Sequence, residues 1–277
     1  MGESGSGKST LGLSIMRILP QNARITSGEI IFEGINLLKC SENEIRSIRG
    51  RKISMVFQDP FSSLNPVERI IDHFIELYKS HIATISREEI VRKSRELLRS
   101  VGVPPDKLDA YPHQLSGGQR QRVAIALAIA LEPELVIADE PTSALDVLVE
   151  SQIMDLFREL KETKKISMIF ITHNMALISE IADRIAVMYA GKIVEIASAD
   201  NIITKPLHPY TQALMESIPV IGVEKSLKAI PGEPPSLINP PTGCRFHNRC
   251  PLAMDICRSA DPMPRRRSDG YVACHLY

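Results

Sequence analysis

The sequence lacks any long hydrophobic run. Its longest apolar stretches, such as residues 123–131 and 166–171, fall well short of the ~20 residues that a membrane-spanning helix needs. It also lacks an excess of charge, with 33 Lys and Arg against 33 Asp and Glu. This balance excludes the overall positive field that draws a chain to nucleic acid or anionic lipid. We expect a globular protein that reaches a membrane only through a partner.

Cysteine is scarce, and its distribution is uneven. Four of the five cysteines lie within the last 34 residues, which favours metal binding over disulfides in a cytosolic chain. They are Cys244, Cys250, Cys257 and Cys274, and their spacing differs from the short Cys pairs of common zinc modules. Four thiolates suit Zn²⁺ or a [4Fe–4S] cluster, and unmetallated thiols are a third alternative. Cys40 stands apart and is expected to be a packing residue.

The sequence begins with a glycine-rich stretch, MGESGSGKST, in which residues 2–9 fit the pattern G-x-x-x-x-G-K-[ST]. In such a loop the backbone N–H groups converge on a pyrophosphate, Lys8 neutralises phosphate oxygens and the Ser9 hydroxyl ligates Mg²⁺. A helix is predicted over residues 10–19, stopped by Pro20. The predicted nucleotide-binding residues here are Gly2, Ser4, Gly5, Gly7, Lys8, Ser9 and Thr10.

Two carboxylates follow the short apolar strand predicted at residues 135–138. Asp139 and Glu140 come directly after it, at the end of a strand where ligands of α/β sheets lie. Asp139 is placed to organise Mg²⁺, and Glu140 to polarise an attacking water. His173 follows the next predicted strand, residues 166–171. A solvated strand end and a structural histidine are the alternatives for these residues taken singly.

A second anion site is predicted at residues 114–122, which precede the apolar helix predicted at 123–131. Ser116, Gly117 and Gly118 are small residues at a helix N-terminus, where the helix dipole favours an anion. Two such sites in one chain suggest that one serves its own nucleotide and the other serves a neighbour's.

The remaining pattern predicts an α/β fold in which a helical insertion interrupts a βαβ unit. Strands are predicted at 29–32 and 52–57, and a capping box is predicted at Ser86 and Glu89. Helical sequence is predicted over about 66–134 and again at 147–161. A hairpin is predicted from 184–189 and 192–196, and a proline-rich extension follows.

In this order, the motifs resemble those of the ATP-binding subunits of ABC transporters. They are the P-loop at 2–9, the Q-loop Gln58, the LSGGQ signature at 115–119, the Walker B strand ending in Asp139 and Glu140, the D-loop at 143–146 and the switch His173. Three further stretches resemble dipeptide and oligopeptide importer ATPases: FQDPFSSLNP at 57–66, HPYT at 208–211 and IPGEPP at 230–235. The resemblance covers essentially the whole chain.

The resemblance implies a P-loop NTPase core at 1–205, with a helical subdomain at about 66–134, and a Cys-rich extension at 206–277. Two such subunits would clasp two ATP molecules head to tail, with Lys8 and Ser9 of one facing Ser116 and Gly118 of the other. Gln119 and Asp146 join the nucleotide-binding set. The implied catalytic residues are Glu140, His173 and Gln58, and the implied Mg²⁺ residues are Ser9, Gln58 and Asp139.

The resemblance also implies the partners and the location. These are a related ATPase, giving a heterodimer, and two transmembrane permease subunits touched by residues from 59 to about 72. An extracytoplasmic solute-binding protein is an indirect partner, and no nucleic acid is involved. The site of action is the cytoplasmic face of the cell membrane. Some relatives carry a [4Fe–4S] cluster in the tail, with Zn²⁺ as the alternative here.

Relatives of this kind carry a segment before the P-loop that supplies an adenine-stacking aromatic residue, antiparallel strands and the strand entering the loop. We therefore expect a natural start a few tens of residues earlier, with an alternative start codon read at Met1. Without that strand, a long unpaired sheet edge or a gap is expected beside residues 135–138.

Three other functions remain open from the sequence. The importer could serve nickel or another small solute, because the ATPase does not meet the cargo. A soluble ABC protein acting on DNA or ribosomes is disfavoured by the balanced charge. The chain could also be a truncated, inactive binding or redox module.

Overall fold

A computed structural model describes residues 1–59, 63–143, 145–179, 181–217 and 230–277 of the chain. These residues form two compact units. The sheet unit is Ser9–Ile171, and the tail unit is Met1–Lys8 together with Thr172–Tyr277. The predicted domain boundary near residue 205 stays a prediction. Within the described ranges, no helix is both long enough and apolar enough to cross a membrane.

The sheet unit combines helices with short strands, as predicted for an α/β fold. In chain order its elements are α1 (Lys8–Met16, whose first residue belongs to the tail unit), β1 (Ile31–Phe32), β2 (Ile35–Asn36), α2 (Glu42–Ile48), β3 (Ile53–Val56), α3 (Ile70–His81), α4 (Arg87–Ser100), α5 (Gly117–Ile129), β4 (Leu135–Asp139), α6 (Val147–Lys164) and β5 (Ser167–Ile171). The helical pattern predicted at 66–134 corresponds to α3, α4 and α5, and two short 3-10 turns lie between α4 and α5.

Strands β3, β4 and β5 form a parallel sheet in that order. The register pairs Val56 with Ala138 and Asp139 with Ile171, so the carboxyl ends of the three strands share one edge. The expectation of an unpaired edge or gap beside residues 135–138 is wrong, because β4 pairs with β3 on one side and with β5 on the other. In the described part of the chain β5 pairs with β4 alone, and its side chains are partly exposed instead of fully buried.

Helix α1 ends at Met16, three residues before the predicted end. Arg17 adopts a left-handed conformation with φ 52°. The Ile18 N–H donates to the Leu13 carbonyl, and the Arg17 N–H donates to the Ser14 carbonyl. This is the Schellman pattern of helix termination, which stops the helix before Pro20 is reached.

Helix α4 begins where the sequence predicts, but only half of the predicted capping box forms. The Ser86 hydroxyl accepts a hydrogen bond from the Glu89 N–H at 3.1 Å. The Glu89 carboxylate instead pairs with Lys93, one turn along the helix, at 3.1 Å. An i,i+4 ion pair has therefore replaced the reciprocal capping bond.

The tail unit is mainly antiparallel. Its elements are α7 (Met175–Ile178), β6 (Arg184–Tyr189), β7 (Lys192–Ser198), α8 (Ala199–Thr204), α9 (Pro209–Glu216), α10 (Ile256–Ser259), β8 (Arg265–Arg267) and β9 (Gly270–Val272). The sheet order is β6-β7-β9-β8. The predicted β6–β7 hairpin is confirmed, and its turn residues Ala190 and Gly191 both have positive φ, as two-residue hairpins require. Strands β8 and β9 were not predicted, because three exposed arginines do not resemble a strand.

Candidate nucleotide-binding site

The predicted metal-binding pair lies together at the sheet edge. Ser9 is in the first turn of α1, and its hydroxyl donates to Asp139 Oδ1 at 3.0 Å. Asp139 is the last residue of β4 and is only 5% exposed. A hydroxyl and a carboxylate are the oxygen donors that Mg²⁺ prefers, so the two residues fit this ion.

The predicted catalytic carboxylate lies beside the predicted Q-loop residue. Gln58 Nε2 donates to Glu140 Oε2 at 3.1 Å. The Glu140 N–H donates to the Ile171 carbonyl at 2.8 Å, continuing the β4–β5 ladder. Glu140 itself has φ 42°, a left-handed conformation that costs a residue with a side chain about 1–3 kcal/mol. Strand register and this turn together fix where the carboxylate lies.

The P-loop, residues 2–8, belongs to the tail unit. Lys8 is buried, and its ammonium donates to the carbonyls of Gly2 and Glu3, each at 2.9 Å. The Ser6 carbonyl accepts from the Gly191 N–H at 2.8 Å, which attaches the loop to the β6–β7 turn. Gly2 has φ 153°, and a Cβ there would overlap the Met188 carbonyl. Only glycine allows this approach.

An ion pair connects the P-loop to the Cys-rich extension. Arg249 Nη1 and Nη2 donate to the two Glu3 oxygens at 2.8 and 3.1 Å. The Arg249 side chain is 5% exposed, and that of Glu3 is 24% exposed. Burial lowers the pKa of Arg249, but the hydrogen bonds to Glu3 and Tyr189 outweigh it and raise the pKa above the usual range. The motifs gave no signal of this contact, because it joins residues 246 positions apart.

The HPYT stretch at 208–211 supports the same loop. The Tyr210 hydroxyl accepts from the Glu3 N–H at 2.9 Å. His208 Nδ1 accepts from the Tyr210 N–H at 3.0 Å, and burial lowers the pKa of His208 to about 4. The Glu195 carboxylate accepts from the N–H groups of Leu207 and His208. A stretch that the sequence identified only by resemblance therefore places a hydroxyl against the P-loop.

The signature residues start α5 and do not precede it. The predicted helix N-terminus at Ser116, Gly117 and Gly118 is confirmed, but the helix already begins at Gly117 and not at residue 123. Ser116 and Gln119 form a reciprocal capping box there, at 3.1 and 3.2 Å. Ser116 is exposed. A Cβ on Gly118 would lie 2.7 Å from Val149 Cγ1, so this glycine lets α5 approach α6 closely.

The remaining predicted residues are placed separately. Asp146 caps α6, where its carboxylate accepts from the Val149 N–H at 3.0 Å. Exposed His173 belongs to the tail unit and Glu140 to the sheet unit, so their alignment stays a prediction. Ala144 of the D-loop and residues 60–62 of the predicted permease-contacting segment lie outside the described residues.

The four tail cysteines are free thiols. Burial raises the pKa of Cys244 to about 11 and also raises those of Cys250 and Cys274. The Cys244 N–H donates to the Cys257 carbonyl at 2.9 Å, so the backbones of these two cysteines are neighbours. Among the described residues, however, no group of three or more His, Cys, Asp or Glu side chains could hold a metal ion. The predicted metal site is therefore not confirmed.

Two protein families match stretches of the chain. Residues 1–143 match the family described as ABC transporter. Residues 194–257 match the family described as oligopeptide/dipeptide transporter, C-terminal region. The second match includes the HPYT stretch, Arg249 and three of the four tail cysteines.

Named relatives match over the whole chain. A dipeptide transport ATP-binding protein, DppD, of Caldanaerobacter subterraneus subsp. tengcongensis is 48% identical, covering 100% of this chain and 86% of the relative. The oligopeptide transport ATP-binding protein AppF of Bacillus subtilis is 44% identical, covering 100% and 84%. Among solved structures, the ATP-binding cassette MJ0796, a dimer in a post-hydrolysis state bound to ADP and Pi, matches with a TM-score of 0.63. It is 31% identical and covers 72% of this chain and 83% of the other.

Proposed function

This chain belongs to the ATP-binding subunits of ABC transporters, in the dipeptide and oligopeptide group, and on that premise we propose that it energises peptide import across the cytoplasmic membrane. As a member of this family it has the P-loop NTPase fold, binds ATP with Mg²⁺ and hydrolyses ATP. The observation that carries the proposal is the sheet edge, where the Ser9–Asp139 and Gln58–Glu140 pairs meet the ends of β3 and β4.

The proposed roles follow from the chemistry of these side chains. Ser9 and Asp139 would hold Mg²⁺ together with Gln58, and the ion supplies charge neutralisation on phosphate oxygens. Lys8 binds those oxygens from the P-loop. Glu140 accepts a hydrogen bond from the attacking water and so polarises it, a function typically worth 10² to 10⁴ in rate.

The proposed working unit contains a second, related ATPase. Ser116, Gly117, Gly118 and Gln119 present a capped helix N-terminus to the nucleotide of the partner, with Asp146 close to the shared interface. His173 would align the γ-phosphate with Glu140. Two permease subunits would receive the mechanical output through residues from 59 to about 72, at the cytoplasmic face of the membrane.

Reconstitution tests this proposal. The chain, its companion ATPase and two permeases in liposomes should hydrolyse ATP faster when a peptide-loaded binding protein is added. A nickel-loaded binding protein should give no stimulation. The Glu140→Gln variant should accumulate as a stable ATP-bound pair of subunits. Equal hydrolysis by this chain without a second ATPase would contradict the head-to-tail arrangement.

The Cys-rich extension is proposed to bind a [4Fe–4S] cluster, with Zn²⁺ as the alternative. The concentration of four cysteines in the last 34 residues supports this. The hydrogen bond from the Cys244 N–H to the Cys257 carbonyl, which brings two of them together, also supports it. A bound group would fasten together the segments that carry the cysteines. Anaerobic purification followed by iron, sulfide and zinc analysis should find metal, and Cys274→Ser should lose it. Cys40→Ser is the control, and metal-free wild-type protein would contradict the proposal.

A further inference from the structure

The P-loop is attached to a residue that lies outside all the nucleotide motifs. We propose that Arg249 is a positioning residue for ATP binding, which neutralises Glu3 and holds the P-loop in the shape that receives the triphosphate. This inference rests on the proposed ATP-binding function and extends it to a specific contact of the Cys-rich extension.

The charge of Glu3 is the first step of the argument. Glu3 lies between Gly2 and Ser4, inside the loop that receives a polyanion. An unpaired carboxylate at this place would repel phosphate oxygens and weaken the attraction of Lys8 for them. The bidentate contact with Arg249 offsets that charge, and its partly buried position limits screening by water. Removal of the arginine alone would leave the carboxylate uncompensated.

The backbone of Glu3 is the second step. Its N–H donates to the Tyr210 hydroxyl, and its carbonyl accepts from both the Lys8 ammonium and the Ser6 N–H. If the Glu3 carboxylate lost Arg249 and moved away, the Glu3 backbone would move with it. Lys8, which is hydrogen-bonded to that backbone, would then move too. The Arg249–Glu3 ion pair therefore influences the position of the Lys8 ammonium through Glu3 alone.

Arg249 is itself held firmly, which is the third step. Its guanidinium donates to the Tyr189 hydroxyl at 3.3 Å and to the carbonyls of Pro231 and Ile230 at 2.8 and 3.3 Å. A planar guanidinium can serve these acceptors and both Glu3 oxygens at once, whereas a lysine ammonium has only three donors. Because Cys250 is the next residue, the fold of the extension determines where Arg249 lies.

Calorimetric titration of the full chain with AMP-PNP and Mg²⁺ tests the inference. Arg249→Gln should weaken binding about tenfold, which corresponds to about 1.4 kcal/mol and is the size expected for a lost charge-assisted contact. Glu3→Gln should change the Kd less than about threefold. The double variant should bind like Glu3→Gln, because the unpaired carboxylate is absent. Arg258→Gln, an exposed arginine of the same extension, is the matched control and should bind like wild type.

The rescue distinguishes positioning from a structural role. If the double variant binds as weakly as Arg249→Gln, or if Arg249→Gln binds like wild type, the inference is overturned. Should Arg249→Gln fail to fold, Arg249→Met, which also removes the charge, provides the same comparison with and without Glu3→Gln, and the weaker binding is again expected to be restored. Failure of wild-type protein to bind AMP-PNP would instead contradict the proposed function.

Discussion

The carboxylate edge of the sheet unit and the P-loop of the tail unit are held in place by different kinds of contact. At the sheet edge, the register of adjacent parallel strands positions Asp139 and Glu140. The P-loop is held at Glu3 by side chains from distant parts of the sequence, Tyr210 and Arg249. Substitutions at the sheet edge should therefore be able to change the rate of ATP hydrolysis without changing the stability of the fold. Substitutions in the P-loop should change nucleotide binding and stability together.

The largest expected effect separates chemistry from stability at the sheet edge. Glu140→Gln should lower ATP turnover about 10²- to 10⁴-fold, because Glu140 is proposed to accept a hydrogen bond from the attacking water and an amide is a poorer acceptor. The free energy of unfolding should change by less than about 1 kcal/mol. Steady-state ATPase assays and urea denaturation measure the two quantities.

The control for this variant lies on the same strand segment. Glu134→Gln changes an exposed carboxylate just before β4 that pairs with Lys52, and it should leave turnover unchanged. If Glu140→Gln unfolded the protein, function and stability would be coupled at the sheet edge as they are expected to be at the P-loop. The contrast between the two regions would then be wrong.

The next effect concerns the P-loop, where binding and stability should fall together. Gly2→Ala should destabilise the protein by about 3 kcal/mol, because the new Cβ would overlap the Met188 carbonyl. Gly5→Ala meets no atom within 4 Å and should cost only about 1–2 kcal/mol for its positive φ. Denaturation and AMP-PNP titration check both variants. Equal losses would show that the attachment to β6 is unimportant.

The same contrast explains how much of the protein the sequence predicts. The strands predicted at 52–57 and 135–138 are found at 53–56 and 135–139, because short apolar runs are typical of buried parallel strands. Parallel pairing then brings Gln58 to Glu140 with no further information. The P-loop pattern likewise predicts Lys8 as a phosphate-binding residue and Ser9 as a Mg²⁺ ligand, because each position of the pattern requires one residue type for one contact.

Tertiary contacts account for what the sequence did not predict. No periodicity predicts the pairing of Arg249 with Glu3, since the partners lie in regions of different composition. The early end of α1 at Arg17 was missed because a left-handed arginine has no local signature. The apolar run alone places the start of α5 at residue 123, whereas the helix begins at Gly117 because of the Ser116–Gln119 capping box. This agrees with the helix N-terminus predicted at Ser116, Gly117 and Gly118.

A pH effect sharpens the comparison in the tail unit. Burial lowers the pKa of His208 from 6.5 to about 4, so the fold holds it neutral while the unfolded chain takes up a proton below pH 6.5. Stability therefore falls as the pH falls through this window, by about 2 kcal/mol between pH 7 and 4.5. His208→Asn keeps an acceptor for the Tyr210 N–H and should remove this component. Identical pH dependence of unfolding in both proteins would contradict the assignment.

The smallest effect tests whether the signature serine acts beyond its own helix. Ser116→Ala and Ser86→Ala each remove the N-cap hydroxyl of one helix in the sheet unit and should each cost about 1 kcal/mol. Only Ser116→Ala should also reduce ATP turnover in the reconstituted pair of ATPases, because its hydroxyl is proposed to face the partner's nucleotide. Equal turnover in the two variants would show that Ser116 only caps its helix. The strand register that positions Asp139 and Glu140 would then be the main determinant of ATP hydrolysis in the sheet unit.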